Sequence, residues 1–198
     1  GLMAGLMVAT SVIGLASTAL AAETVEKDGF TYELIAESGG AKYYKIIEYT
    51  GSDAEVVIPD TINAATEAVV DIGPDVFEGH DEITKLPIGK YMTRGNEFVF
   101  DDLVNVEEYE VAAGNTKYSA DDGVLYREDM LLAYPKAKSG DYTIKAGTTS
   151  IGNRAFFDTN IDTLTIPESV NINNELNGSG DKFIYSFLGA KVGMYNYG

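Results

Sequence analysis

One spacing recurs along this chain and limits what it can fold into. An apolar residue is followed by two variable positions, a second apolar residue, one variable position and a third apolar residue. It appears as Ile83-x-x-Leu86-x-Ile88, Val106-x-x-Tyr109-x-Val111 and Ile161-x-x-Leu164-x-Ile166. Leu86 to Tyr109 is a step of 23 residues (109 − 86), Phe77 to Phe100 is again 23 (100 − 77), and Tyr142 to Leu164 is 22 (164 − 142). Within residues 142–170 the apolar positions fit neither a 3.6 nor a 2.0 period, so one long helix and one long strand are both poor readings. A coil that turns several corners, each with one inward side chain, fits better. Such a coil cannot bury its apolar edge alone and needs a copy stacked on each side.

The turn element between the strands also recurs, as Asp71-Ile72-Gly73 with Val76-Phe77 and as Ser150-Ile151-Gly152 with Ala155-Phe156. Two further strands match, Val56-Val57-Ile58-Pro59 and Tyr142-Thr143-Ile144. A period of about 20–29 residues with one strand per unit is the leucine-rich-repeat size class. The pattern IGxxAF followed by IxxLxIPxSV resembles the BspA-type (Treponema pallidum-type) leucine-rich repeats of bacterial surface proteins. Residues 115–135, NTKYSADDGVLYREDMLLAYP, are similar to a hairpin insertion common in that family. The match covers roughly residues 30–170. Gly95-Asn96 departs from it where Ile-Gly is expected, and His80 and Thr159 stand where the family often has cysteine.

The expected fold is therefore a repeat solenoid, leucine-rich-repeat-like, with one short parallel strand per coil. It is β-rich with short helical turns and two β-hairpins. Residues 1–21 carry no charge and end in the small-x-small Ala19-Leu20-Ala21, which reads as the apolar core and cleavage site of a secretory signal peptide, in part. A membrane anchor is the other reading of that run. Residues 22–52 read as an N-terminal β-hairpin cap, with strands around 30–35 and 43–49. Capping covers the open end of the first coil. A ligand platform of Tyr32, Tyr43 and Tyr44 is the alternative for this segment. Residues 53–175 read as the repeat array, with the hairpin insertion near 115–135 and its tip projecting. Residues 176–198 read as a C-terminal cap or a truncated repeat.

Strand alternation places Val56, Ile58, Leu86, Ile88, Tyr109, Val111, Tyr142, Ile144, Leu164 and Ile166 inward. Phe77, Phe100 and Phe156 are expected to plug the opposite corner. The outward neighbours should share one continuous sheet, whose concave face is the expected binding surface: Glu55, Lys85, Glu108, Glu110, Asp141, Thr143, Thr163 and Thr165.

Chemistry is sparse. The chain has 14 basic and 31 acidic side chains, a formal charge of −17, no cysteine and one histidine. The acidity argues against nucleic acid, whose phosphates it would repel. Lacking cysteine, the chain has no disulfide framework and no thiol chemistry. His80 has no second histidine or cysteine to complete a zinc set, and reads as a turn residue. There is no phosphate-cradling glycine loop, HExxH or GxSxG. The acidic pairs, among them Asp101-Asp102 and Glu107-Glu108, sit on neighbouring positions that point to opposite faces, so they read as solvated edge charge rather than a glycosidase dyad. Asp121-Asp122-Gly123 with Asp129 fails as a calcium loop, because Tyr118 and Ala120 fill the first and third ligand positions.

No catalytic residue, metal site or cofactor is expected. The resemblance implies a secreted or cell-surface binding module for adhesion or protein–protein interaction, with an extracellular or host-surface protein as its partner; the chain is expected to be a monomer and not inserted in a membrane after signal cleavage. The alternative is a structural spacer that supports a further domain.

Overall fold

The computed structural model describes residues 23–95, 97–170, 186–187 and 189–197. The expected leader at 1–21 lies outside them, as do residues 171–185. The described chain is built of strands and turns, with one 3₁₀ turn at Glu97–Phe100. No helix among the described residues is long and apolar enough to cross a membrane.

The N-terminal segment holds three antiparallel strands, one more than the expected hairpin: β1 (Thr24–Lys27), β2 (Phe30–Ser38) and β3 (Ala41–Tyr49). Both turns are two residues long, Asp28-Gly29 and Gly39-Gly40, and all four residues have positive φ. That is the type I′ geometry whose twist matches a hairpin, and Asp-Gly and Gly-Gly are the pairs that tolerate it. A fourth strand, β4 (Glu67–Ile72), lies parallel to β3 in the register Lys42↔Glu67 to Ile46↔Ile72. The sequence reading placed only a turn element at Asp71-Ile72. The alternation of buried Val69 with half-buried Ala68 and Val70 is what makes this stretch a strand.

The repeat spacing appears directly in the next sheet. β5 (Lys85–Ile88) and β6 (Glu108–Val111) pair in parallel as Lys85↔Glu108, Leu86↔Tyr109, Pro87↔Glu110 and Ile88↔Val111, the 23-residue step. Residues 55–59 run along the other edge of β5. The Val56 amide donates to the Lys85 carbonyl at 3.0 Å and the Ile58 amide to the Pro87 carbonyl at 2.8 Å. Val56, Ile58, Leu86, Ile88 and Tyr109 are buried, and Val111 is half-buried.

The insertion is a three-stranded meander, again one strand more than a hairpin: β7 (Tyr118–Asp121), β8 (Val124–Arg127) and β9 (Met130–Ala133). Its first turn, Asp122-Gly123, is another type I′ pair with φ of 48° and 74°. The turn Glu128-Asp129 is exposed, as a projecting tip should be, but the body is not. Leu125, Leu132 and Ala133 belong to one apolar core with the preceding strands, while Val124, Tyr126, Leu131 and Tyr134 belong to a second with the following ones. The meander is a wall between two cores. Phe77 and Phe100 fill the first core and Phe156 the second.

After β10 (Tyr142–Thr143) come β11 (Ser150–Ile151), parallel to β9, and β12 (Asn160–Ile166). β10 pairs with β12 as Tyr142↔Leu164 and Thr143↔Thr165, the 22-residue step. A last strand, β13 (Lys191–Tyr197), runs parallel to β12 from Asn160↔Lys191 to Ile166↔Tyr197.

Candidate binding surface

The outward residues of the first half meet across neighbouring strands. Lys85 stands opposite Glu108 in the register, and its ammonium lies 3.2 Å from the Glu108 carboxylate and 2.6 Å from that of Glu110. These two contacts, Glu110 first, push the Lys85 pKa up to about 12. Glu55 bridges to Lys85 on the other side. Two carboxylates therefore hold the lysine, Glu55 stands beside it in the register, and the same face exposes Val57. Solvent screens exposed ion pairs of this kind, so the cluster does little for stability.

The outward residues of the second half, Asp141, Thr143, Thr163 and Thr165, lie on β12, on β10 or just before it, with Thr143 beside Thr165. The expectation of one continuous sheet is corrected here: β5–β6 and β10–β12–β13 are separate sheets. The edge of β6 that would have received β10 is occupied by the meander turn. The Tyr109 amide donates to the Gly123 carbonyl at 2.8 Å, and a side chain on Gly123 would come within 2.9 Å of Glu108 Cβ. Asp122 on the same turn pairs with Lys138 at 3.1 Å. The ladder is thus two patches divided by a turn.

Two features escaped sequence reading. His80 is more than a turn residue. Its ring packs 4.9 Å from that of Tyr49, with Nε2 3.0 Å from the Tyr49 carbonyl and Nδ1 2.8 Å from Glu82. It ties the end of β3 to the turn before β5, and its pairing with Glu82 lowers that carboxylate's pKa. Sequence gave no signal, because Tyr49 is 31 residues away.

The second is a charge knot around Asp101. Asp101 and Asp102 are half-buried rather than solvated edge charge. Arg154 Nε lies 2.7 Å from Asp101 Oδ2, as an ion pair without hydrogen-bond alignment. The Arg154 guanidinium sits 3.7 Å over the Phe157 ring, the Lys136 ammonium 4.5 Å over it, and Lys136 also donates to the Asp101 carbonyl oxygen. Burial pushes the Asp101 carboxyl from 3.8 up to about 6 against the pull of both cations, and pushes Lys136 down.

An acid whose folded pKa is raised binds its proton more tightly in the folded state. Its contribution favours folding below about pH 4 and is lost as pH rises from about 4 to about 6. Asp101→Asn removes that titration. The melting temperature of the variant minus that of the wild type should grow by several degrees between about pH 4 and 7, corresponding to about 1–3 kcal/mol after discounting for partial exposure. A difference that stays constant across that range would show the carboxyl titrates normally.

Tyr126 and Tyr142 share a buried hydroxyl–hydroxyl bond of 2.6 Å, and burial raises both phenols. Among the described residues, no group of three or more His, Asp or Glu is placed to hold a metal ion.

No family model and no curated protein matches the chain. The solved structures it is similar to include several bacterial leucine-rich-repeat proteins. The T. pallidum leucine-rich-repeat protein TpLRR is 13% identical with a TM-score of 0.49, over 89% of this chain and 86% of that one. The pneumococcal vaccine antigen PcpA is 13% identical with a TM-score of 0.42, over 76% of this chain, which spans 66% of the PcpA chain. A leucine-rich-repeat protein from Bacteroides ovatus ATCC 8483 is 18% identical with a TM-score of 0.41, over 72% of this chain and 46% of that one.

Proposed function

We propose that this chain is a BspA-type leucine-rich-repeat solenoid and serves as a secreted or cell-surface binding module for adhesion or protein–protein interaction. The observation that carries the reading is the register of the parallel strands. Steps of 23 residues between β5 and β6 and 22 between β10 and β12 are those of the repeat spacing, and they line up Leu86 on Tyr109 and Tyr142 on Leu164 in the core. The outward neighbours are then free to vary without disturbing the core, which suits such an array to recognition. Export is the reading of the leader at 1–21. The contact surface is the ladder Glu55, Lys85, Glu108 and Glu110, with Asp141, Thr143, Thr163 and Thr165 as its second patch.

Glu55, Glu108 and Glu110 outnumber Lys85 and leave the first patch net acidic, so the protein partner presents basic groups. Association then weakens with salt, because at about 0.15 M ionic strength charges are screened beyond roughly 8 Å. Replacing both Glu108 and Glu110 with Lys turns the cluster into three neighbouring ammonium groups. The double variant should keep its melting temperature within a few degrees and lose most binding to a panel of extracellular-matrix proteins. If the wild type binds nothing in the panel, or the variant binds equally well, the spacer reading replaces this one.

A further inference from the structure

Part of the outer face of the first sheet is apolar where a solvated face should be polar. Ile35 on β2, Tyr43 on β3, and Ala68 and Val70 on β4 stand opposite the buried Tyr32, Tyr44 and Val69. They form one wall of a cleft of about 590 Å³, closed on the other side by the loop after β5 and the turn before β7. That volume lies in the range of about 300–1,000 Å³ typical of small-molecule sites.

The charged groups lining the cleft are cationic in a chain with 14 basic and 31 acidic side chains. Lys90 and Arg94 both line it. Among the described residues neither is ion-paired to a carboxylate. Lys90 is also held in place. Its stem lies over Gly114, where a side chain would come within 3.3 Å of Lys90 Cε, and its ammonium is 5.3 Å from the centre of the Tyr91 ring. Gly114 has a φ of 86°, the left-handed region glycine favours, and its missing side chain leaves room for the Lys90 stem. An apolar floor under two uncompensated cations selects a ligand of matching form. The body gains from leaving water, and the anion meets an ammonium and a guanidinium fork at the exposed side of the cleft.

We propose that this cleft binds a small carboxylate with an apolar body, the body resting on Tyr43 and Val70 and the carboxylate reaching Lys90 and Arg94. The site lies apart from the acidic ladder and stands or falls independently of the reading above. The test is calorimetric titration of the full chain with 4-phenylbutyrate and, as the charge-reversed match, 4-phenylbutylamine. The carboxylate should bind saturably at one site and the amine at least tenfold more weakly. Lys90→Glu with Arg94→Glu should weaken the carboxylate at least tenfold while leaving the melting curve within a few degrees, since both side chains are exposed. Val70→Glu, which places a charge in the wall, should abolish binding. Equal binding of acid and amine, undiminished binding by the double variant, or no saturable binding of 4-phenylbutyrate would each overturn the proposal.

Discussion

Leu164→Asp is expected to destroy the second core, while Thr165→Asp, one residue on, should fold. Leu164 is fully buried between Tyr142 on β10 and Tyr195 on β13, its register partners, in the cluster that also holds Phe156 and Ile166. An aspartate there loses the leucine's burial and strands a carboxylate with no cation beside it, a loss of about 3–5 kcal/mol or more. Set against a total stability of about 5–15 kcal/mol, that removes most of the folded population. Thr165 points to the outward face and is only half-buried, and its part in the ladder is a carbonyl that accepts from the Ile144 amide at 2.9 Å. Any side chain leaves that bond in place. Circular dichroism melts of the two variants decide the matter: equal stability would mean that the inward and outward faces of β12 are misassigned.

The second large effect is expected at Gly123. Its φ of 74° alone disfavours any side chain, and a Cβ there would press within 2.9 Å of Glu108 Cβ and 3.3 Å of Glu108 Cα. Gly147 supplies the control, since its φ is 86° but a Cβ there meets nothing within 4 Å. Gly123→Ala and Gly147→Ala both suffer the left-handed strain of about 1 kcal/mol, and only the first adds a clash of about 1–3 kcal/mol. Gly123→Ala should therefore melt several degrees below Gly147→Ala, at about 2–4 °C per kcal/mol for a chain of this size. Equal melting temperatures would show that the turn is not wedged against β6.

The difference between what could and could not be read from the chain follows from distance along it. The step between Leu86 and Tyr109 was legible because a recurring spacing of apolar residues is written in the sequence, and the register reproduces it residue for residue. The turns at Asp28-Gly29 and Asp122-Gly123 were equally legible in principle, since the Asp-Gly pair is a strong local hairpin signal. Overlooking them left β1 and β7 unplaced. The split of the outward ladder had no such signal. It arises because the Gly123 carbonyl takes the Tyr109 amide, a contact between segments that no periodicity relates. The Asp101 knot and the His80 clamp are of the same kind, each joining side chains that meet only once the chain has folded.

The meander that divides the apolar interior has a consequence for how the molecule comes apart. In a repeat array each unit leans only on its neighbours, so such chains tend to fray from their ends, one unit at a time. Here Leu125 and Leu132 lean on one side while Val124, Tyr126 and Leu131, on the same two strands, lean on the other. Neither half can loosen without stripping one face of strands the other half needs. Fraying that starts at either terminus should halt at that partition, and beyond it the remaining chain should let go all at once.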